Sequence, residues 1–251
     1  MNAGIDYEKN GFDILRYAAA VSVMLLHYSG YSMIYSEQAM GVMNGIRRTA
    51  LLFPGVVILF TISGFLVTAS YERSETRKEF FKKRFLRIYP ELWICTAVNL
   101  MVVCILVPKR LDAGIFLWLA TQVFGIASTP DCLQSFATGS VNGVLWTVFT
   151  EVQLYVILGV GYSFLRKRKN GFWAAFLAAL AFLNLGCQKL TQGMDGLAAK
   201  LIERSVFPYA LWFFIGVFCY LEREKILPLL KRAFLPLLAV YILTGELTET
   251  L

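Results

Sequence analysis

Long apolar runs alternate with short charged connectors along the whole chain. Several of these runs reach or approach the roughly 20 residues that an α-helix needs to cross a bilayer. The predicted apolar segments cover residues 13–34, 50–70, 92–107, 115–127, 144–165, 172–185, 206–221 and a shorter 234–244. This pattern predicts an all-α fold, a polytopic transmembrane helical bundle of about eight apolar segments. We expect residues 1–251 to form a single membrane-embedded domain.

The composition indicates an integral membrane protein. Hydrophobic residues make up 57% of the 251 residues, charged residues only 16%, and the mean hydropathy is +0.60. Water-soluble domains carry more charge, commonly about a quarter of their residues. The chain begins with polar residues that include Asp6 and Glu8 rather than a basic stretch, so we expect no cleavable signal peptide. The cysteines show neither a CxxC pair nor metal-like spacing, so we expect no disulfide and no metal site.

The net charge of +7 comes from basic residues that cluster between apolar segments. Lys and Arg in such positions mark the cytoplasmic side of a membrane, which favours a multi-pass protein of the cytoplasmic membrane over a nucleic-acid-binding protein. The main clusters are the connector 71–89, with seven basic residues, and the run 166–169. Placing both in the cytoplasm requires an even number of crossings between them, yet three apolar segments intervene. Either 92–107 or 115–127 is therefore expected to be re-entrant or non-spanning.

The connector itself carries two further expectations. Its mixture of basic residues with Phe80, Phe81 and Phe85 predicts a helix that lies on the membrane surface. Pro90 follows directly, and proline favours the first turn of a helix. We therefore expect the next helix to begin at Pro90.

The first apolar segment contains three ionisable residues, Asp13, Arg16 and His27. Arg16 and His27 are eleven residues apart, close to three helical turns, so the three side chains lie near one stripe of the helix. Ionisable groups inside a membrane helix are costly and usually face a polar cavity. Because His27 is the only histidine in the chain, we interpret this stripe as a functional site.

Helix depth connects His27 with Glu151. With the N-terminus inside, His27 lies about 20 Å from the inner end of its helix, in the outer half of a hydrocarbon core of about 30 Å. If the helix of Glu151 enters from outside, its carboxylate lies about 10 Å below the outer surface. In that orientation His27 and Glu151 lie at a similar depth in the membrane. If the helix of Glu151 enters from inside, they lie at different depths.

Three motifs occur in an order that matches a known family. FDILRYAAAVSVMLLH at 12–27 is similar to a family first helix with the same Asp, Arg and His spacing. FTISGFLV at 60–67 and FFKKRFLRIYP at 80–90 resemble the second helix and the arginine-rich connector before the third, and NGVLWTVFTEVQLY at 142–155 resembles the Trp-plus-Glu helix. Together they resemble the acyltransferase-3 family, membrane-bound O-acyltransferases of bacterial surface glycans. That family core has about ten helices, so we expect this chain, with about eight, to be either a C-terminally truncated product or a compact variant, without the hydrolase-like domain of some relatives.

The resemblance implies a reaction and its central residues. The donor is an acyl-CoA, with acetyl-CoA as the first choice, the acceptor is a hydroxyl of a cell-surface or exported carbohydrate, and no cofactor is bound permanently. His27 is implied to be the base that removes the hydroxyl proton, which suits a neutral imidazole near pH 7. Glu151 is implied to orient His27 or to stabilise its cation. The simpler alternatives are a packed histidine and a buried acid bonded to partners on its own helix, which carries Thr147, Thr150, Gln153 and Tyr155.

Four charged residues are expected to bind the donor. The resemblance implies that Arg16 lines a donor channel and that Asp13 holds it, while a salt bridge between residues three apart is the simpler interpretation. Arg84 and Arg87 are implied to hold the phosphates of coenzyme A, because the guanidinium fork matches phosphate geometry. The alternative for Arg84 and Arg87 is that their positive charge only marks the cytoplasmic side of the membrane.

Tyr89 and Trp146 complete the expected substrate-binding residues, with Trp146 shaping the cavity or lying at the membrane interface. Ser63 and Gly64 are expected to serve close helix packing, because the chain has no GxSxG elbow. A different function also stays open at this point, namely a non-catalytic membrane scaffold or a small-molecule transporter that uses the same polar stripe.

Overall fold

The computed structural model describes residues 11–35, 40–107, 112–126, 128–134, 141, 143, 145–194 and 196–249. These residues form ten α-helices and no strand, which confirms the predicted all-α fold. The helices are α1 (Phe12–Tyr35), α2 (Met40–Leu51), α3 (Gly55–Glu72), α4 (Arg77–Leu106), α5 (Gly114–Val123), α6 (Leu145–Leu165), α7 (Asn170–Thr191), α8 (Leu197–Glu203), α9 (Phe207–Leu221) and α10 (Arg223–Glu249). A short 3₁₀-helix, Asp131–Leu133, lies between α5 and α6.

Five segments of the described chain are long and apolar enough to cross a membrane, which confirms a polytopic helical membrane protein. They are Met40–Glu72, Arg77–Leu106, Leu145–Leu165, Asn170–Thr191 and Ala198–Leu221. The first predicted segment forms α1, which has 24 residues, and the last lies inside α10, which has 27. The basic separator at 108–110 lies outside the described residues.

The chain forms two compact units. The first comprises Met1–Leu66 and Trp212–Leu251, and the second comprises Val67–Leu211. The boundaries fall inside α3 and α9, so α1, α2 and α10 belong to the first unit and α4 to α8 belong to the second. The single domain over residues 1–251 stays a prediction.

The connector before the third apolar segment is part of α4 from Arg77 onward, which corrects two expectations. α4 begins at Arg77 because Thr76 caps it, with the Thr76 hydroxyl accepting from the backbone N–H of Glu79. The Glu79 carboxylate in turn accepts from the backbone N–H of Glu75, the residue before the cap. The helix then continues through Pro90 without ending. The aromatic connector is therefore no separate surface helix, and Pro90 lies inside a helix rather than at its start; membrane helices tolerate such a proline when neighbouring groups compensate for the missing hydrogen bond.

The fourth predicted segment is much shorter than a membrane span. α5 has ten residues, which corresponds to a length of about 15 Å, half of a hydrocarbon core of about 30 Å. It packs on α4 through a cluster of buried apolar side chains, comprising Val103, Ile115, Trp118 and Leu133. Of the two segments that the topology argument offered, the structure makes 115–127 the short one and places 92–107 within the 30-residue α4.

In the first unit, α1 packs against the break between α2 and α3. The buried hydroxyl of Ser22 lies 2.9 Å from the carbonyl oxygen of Ala50 and 2.6 Å from that of Phe53. The hydroxyl of Tyr241 in α10 donates to the carbonyl of Leu52. Carbonyl groups left by a helix break inside an apolar run need such internal donors, because lipid supplies none.

α3 and α9 cross in the first unit at two glycines. A Cβ on Gly64 would lie 1.9 Å from the carbonyl oxygen of Phe213, and one on Gly216 would lie 2.0 Å from that of Thr61. Each glycine therefore faces the backbone of the other helix with no room for a side chain. This contact explains Gly64 by close packing, as the sequence predicts.

Candidate active site

The second unit is built around an antiparallel pair, α4 and α6. Near the start of α4, Arg77 donates to the hydroxyl of Ser163 over 3.4 Å. One turn further, the rings of Phe80 and Phe81 pack on Gly159. Residue numbers rise along one helix as they fall along the other, so the helices run in opposite directions. This register determines which polar side chains can meet inside the pair.

Arg84 is the next residue in this register, and its guanidinium is half-buried between three helices. Its Nη2 donates to the hydroxyl of Ser70 in α3 over 3.0 Å. Its Cζ lies 5.8 Å from the centre of the Tyr155 ring in α6. Among the residues that the structure describes, its buried Nε has no hydrogen-bond acceptor. The side chain is thus held from two sides and keeps one donor unsatisfied.

Glu151 reaches the same group through Tyr155. The hydroxyl of Tyr155, which is 3% exposed, donates to Oε1 of Glu151 one turn earlier in α6. The Arg84 guanidinium interacts electrostatically with both the Tyr155 side chain and the Glu151 carboxylate. An arginine that the sequence assigns to donor binding and an acid that it assigns to His27 are therefore joined in one polar network, which we call the Arg84 network: Ser70, Arg84, Glu151 and Tyr155.

His27 lies in the first unit, on α1, and its side chain is exposed. On the same helix Arg16 forms an ion pair with Asp13, with 3.2 Å between Nη1 and Oδ1, which is the salt bridge that the spacing predicts. Glu151 belongs to the second unit. The pairing of His27 with Glu151 stays a prediction, as does the role of Arg16 in a donor channel.

The remaining predicted site residues also lie in the second unit. Arg87 is exposed on α4, three residues after Arg84. Tyr89 stacks on Phe85, with ring centres 4.5 Å apart, and the Trp146 ring lies 4.9 Å from that of Tyr209. The substrate-binding roles of Arg87, Tyr89 and Trp146 stay predictions. Among the described residues, no three His, Cys, Asp or Glu side chains come together as metal ligands would.

The start of α4 and the end of α6 present many exposed basic side chains at one end of the second unit. They are Arg77, Lys78, Lys82, Lys83, Arg166, Lys167, Arg168 and Lys169. Glu72, the last residue of α3, contacts the end of α6 twice: it accepts from the Tyr162 hydroxyl over 2.5 Å, and its Oε1 lies 4.0 Å from Nε of Arg166. Most of this positive charge remains on the surface, available to anions.

Sequence reasoning missed two members of the Arg84 network as site residues, Ser70 and Tyr155. For Tyr155 a signal existed, since a tyrosine four residues after an acid lies on the same face of a helix. For Ser70 none existed, because its contact with Arg84 depends on how α3 and α4 pack.

Comparison with known proteins identifies the family. A family model described as an acyltransferase domain matches residues 9–247. The chain belongs to the acyltransferase-3 family. This acyltransferase-3 chain is 36% identical over 190 residues to nodulation protein 10 of Rhizobium leguminosarum bv. viciae, a match that covers 70% of the chain and 49% of that protein. It is 27% identical over 184 residues to an O-acetyl transferase of Shigella phage Sf6, covering 71% of the chain and 52% of that protein.

The acyltransferase-3 chain thus spans about half the length of the curated relatives it matches. No solved structure matches it significantly. The three motifs that carry the resemblance, at 12–27, 60–90 and 142–155, all lie inside the matched region. The predicted family is confirmed.

Proposed function

We propose that this protein is an O-acyltransferase of the cytoplasmic membrane, which moves an acyl group, acetyl as the first choice, from acyl-CoA to a hydroxyl of a cell-surface or exported carbohydrate. The observation that carries the proposal is the half-buried Arg84, held by Ser70 and Tyr155, in a chain of the acyltransferase-3 family. The name of one relative, O-acetyl transferase, agrees with an acetyl donor and an oxygen acceptor.

In this proposal the donor docks on the basic end of α4 and α6. Coenzyme A carries a pyrophosphate and a ribose phosphate, which arginine binds through paired hydrogen bonds and lysine through point charge. The exposed basic side chains there would hold the ribose phosphate, and Arg84 and Arg87 further along α4 would hold the pyrophosphate. A phosphate oxygen would also supply an acceptor for the buried Nε of Arg84.

His27 supplies the base in the proposed chemistry. Its neutral imidazole takes the proton of the acceptor hydroxyl as the hydroxyl oxygen attacks the thioester carbonyl carbon. The bond from that carbon to sulfur then breaks, the new C–O ester bond remains, and the coenzyme A thiolate receives the proton from the imidazolium. Glu151 would stabilise the imidazolium by its negative charge.

The test uses purified protein in lipid nanodiscs, labelled acetyl-CoA and extracted surface glycan. We expect His27→Ala to lower transfer by at least about 100-fold, the usual scale of a lost acid–base group. We expect Arg87→Ala to abolish transfer through the loss of its contact with the donor phosphates, while both proteins remain inserted. Arg232→Ala is the matched control, since Arg232 is an exposed arginine on α10 and should leave transfer unchanged. Wild-type transfer by His27→Ala would refute the mechanism.

The acceptor is identified by mass spectrometry of surface polysaccharide from cells with and without the gene. We expect a mass difference of one acetyl group on the carbohydrate when the protein is present. Transfer of label to a lipid or small molecule instead, with unchanged polysaccharide, would overturn the carbohydrate acceptor and leave the acyltransferase itself in place.

A further inference from the structure

The Arg84 network joins a cation and an acid that do not touch directly. Tyr155 lies between them, with its hydroxyl bonded to Glu151 and its ring 5.8 Å from the guanidinium carbon of Arg84. The guanidinium therefore faces the ring of Tyr155, and the hydroxyl bond to Glu151 fixes where that ring lies. Bonds in such a chain polarise and strengthen one another.

We propose that Tyr155 is a positioning residue, whose ring, fixed by the bond from its hydroxyl to Glu151, holds the Arg84 guanidinium in the orientation that binds the acyl-CoA donor. This gives Glu151 a role in donor binding besides any role toward His27. The inference rests on the proposed function in one respect, namely that Arg84 contacts the donor.

The surroundings of Arg84 explain why such a residue is needed. A guanidinium among apolar helices is costly unless polar groups surround it. Arg84 lies in α4 about 10 Å beyond the helix start, and its helix neighbour Arg87 repels it. Ser70 holds one nitrogen from α3, and Tyr155 meets the guanidinium from α6. Removing the hydroxyl of Tyr155 takes away its bond to Glu151, so the ring that faces Arg84 stays packed but is no longer fixed.

The single change Tyr155→Phe therefore tests the inference. We expect the dissociation constant and KM for acetyl-CoA to rise about tenfold, the effect of losing one hydrogen bond to a charged group, with kcat changed less than about twofold. Tyr162→Phe is the matched control. Tyr162 is a buried tyrosine on the same helix, seven residues and about two turns after Tyr155. Its hydroxyl also donates to a glutamate, Glu72. It should leave donor affinity unchanged.

Two further variants separate positioning from a merely structural role. Glu151→Gln keeps an oxygen that accepts from Tyr155, so donor affinity should stay within about twofold, whereas Glu151→Leu should weaken it as much as Tyr155→Phe does. In an Arg84→Lys background, Tyr155→Phe should have no further effect, because the two residues act through one contact. Ser70→Ala removes the other contact of Arg84 and should also raise the dissociation constant.

Binding of acetyl-CoA to wild-type and variant proteins in nanodiscs is measured by titration calorimetry, and kcat and KM are measured from turnover. The possible results are distinct. Wild-type protein that binds no acetyl-CoA overturns the proposed donor. Wild-type protein that binds while Tyr155→Phe binds equally well overturns only the positioning role. If Tyr155→Phe lowers the unfolding temperature and kcat but leaves KM unchanged, Tyr155 has a structural role only. That result also overturns the positioning role. A raised dissociation constant that disappears in the Arg84→Lys background supports it.

Discussion

The close crossing of α3 and α9 predicts that one added methyl group, at Gly64 or at Gly216, forces the two helices apart. Gly64→Ala would place Cβ 1.9 Å from the carbonyl oxygen of Phe213, whereas real Cβ atoms essentially never come closer than 3.0 Å to another atom. Gly216→Ala creates the same conflict with Thr61 at 2.0 Å. The obstructing atoms belong to helix backbone and cannot turn away, so the helices must move apart by about 1 Å, with the loss of neighbouring contacts.

The cost follows from two opposing terms. Overpacking of this kind costs about 1–3 kcal/mol, and alanine recovers up to about 1 kcal/mol of helix propensity that glycine lacks. Because both contacts are with backbone, we take the upper part of the first range and expect a net loss of about 2 kcal/mol for either variant. For a chain of this size that corresponds to a fall of about 4–8 °C in unfolding temperature.

The assay is thermal unfolding of purified protein in detergent, followed by a thiol-reactive dye that reports newly exposed cysteines. The control is Gly186→Ala in α7, where no atom lies within 4 Å of the new Cβ, so the unfolding temperature should stay equal or rise. An unfolding temperature for Gly64→Ala that equals or exceeds that of Gly186→Ala would refute the close crossing.

Three further predictions concern stability and topology. Ser22→Ala removes the donor shared by the carbonyls of Ala50 and Phe53 and should cost about 1–3 kcal/mol, seen as a lower unfolding temperature in the same dye assay. Tyr162→Phe removes the donor to Glu72 and should lower the unfolding temperature by a similar amount, which a Tyr162→Leu variant should exceed because it also loses ring packing. A cysteine introduced at 167 in a Cys-less background should react with membrane-impermeant maleimide only after the cells are opened, and labelling of intact cells would reverse the assigned orientation.

The helices with an uninterrupted apolar pattern could be predicted from the sequence. α1, α6 and α9 begin and end within a few residues of the predicted segments, because Asp13 opens the first and charged runs close the other two. One error came where Pro90 was taken to begin a helix, whereas α4 continues through it. The last predicted segment, 234–244, was too short, because α10 runs over Arg223–Glu249 and contains both Pro228 and Pro236. Capping by Thr76 and packing against neighbours outweigh the cost of a missing backbone donor there.

The candidate site was predictable as a set of residues but not as a set of contacts. Periodicity brings Asp13 and Arg16 together, and their ion pair is present. The link from Arg84 to Glu151 joins residues that are 67 positions apart in the sequence, and it depends on the register between α4 and α6. No local pattern encodes that register, because it follows from how Phe80 and Phe81 pack on Gly159.

The register between α4 and α6 also bears on the number of membrane crossings between the two basic clusters, which the charge pattern requires to be even. Arg77 begins α4 and contacts Ser163, three residues before the basic run 166–169. The connector and that run therefore lie at the same end of the second unit, by a contact that owes nothing to the positive-inside rule. α4 leads away from this end, α5 is too short to cross, and α6 leads back. Two crossings then join the clusters, so a basic end that faces the cytoplasm gives one cytoplasmic surface, and this is where we propose that the anionic donor meets both helices of the pair.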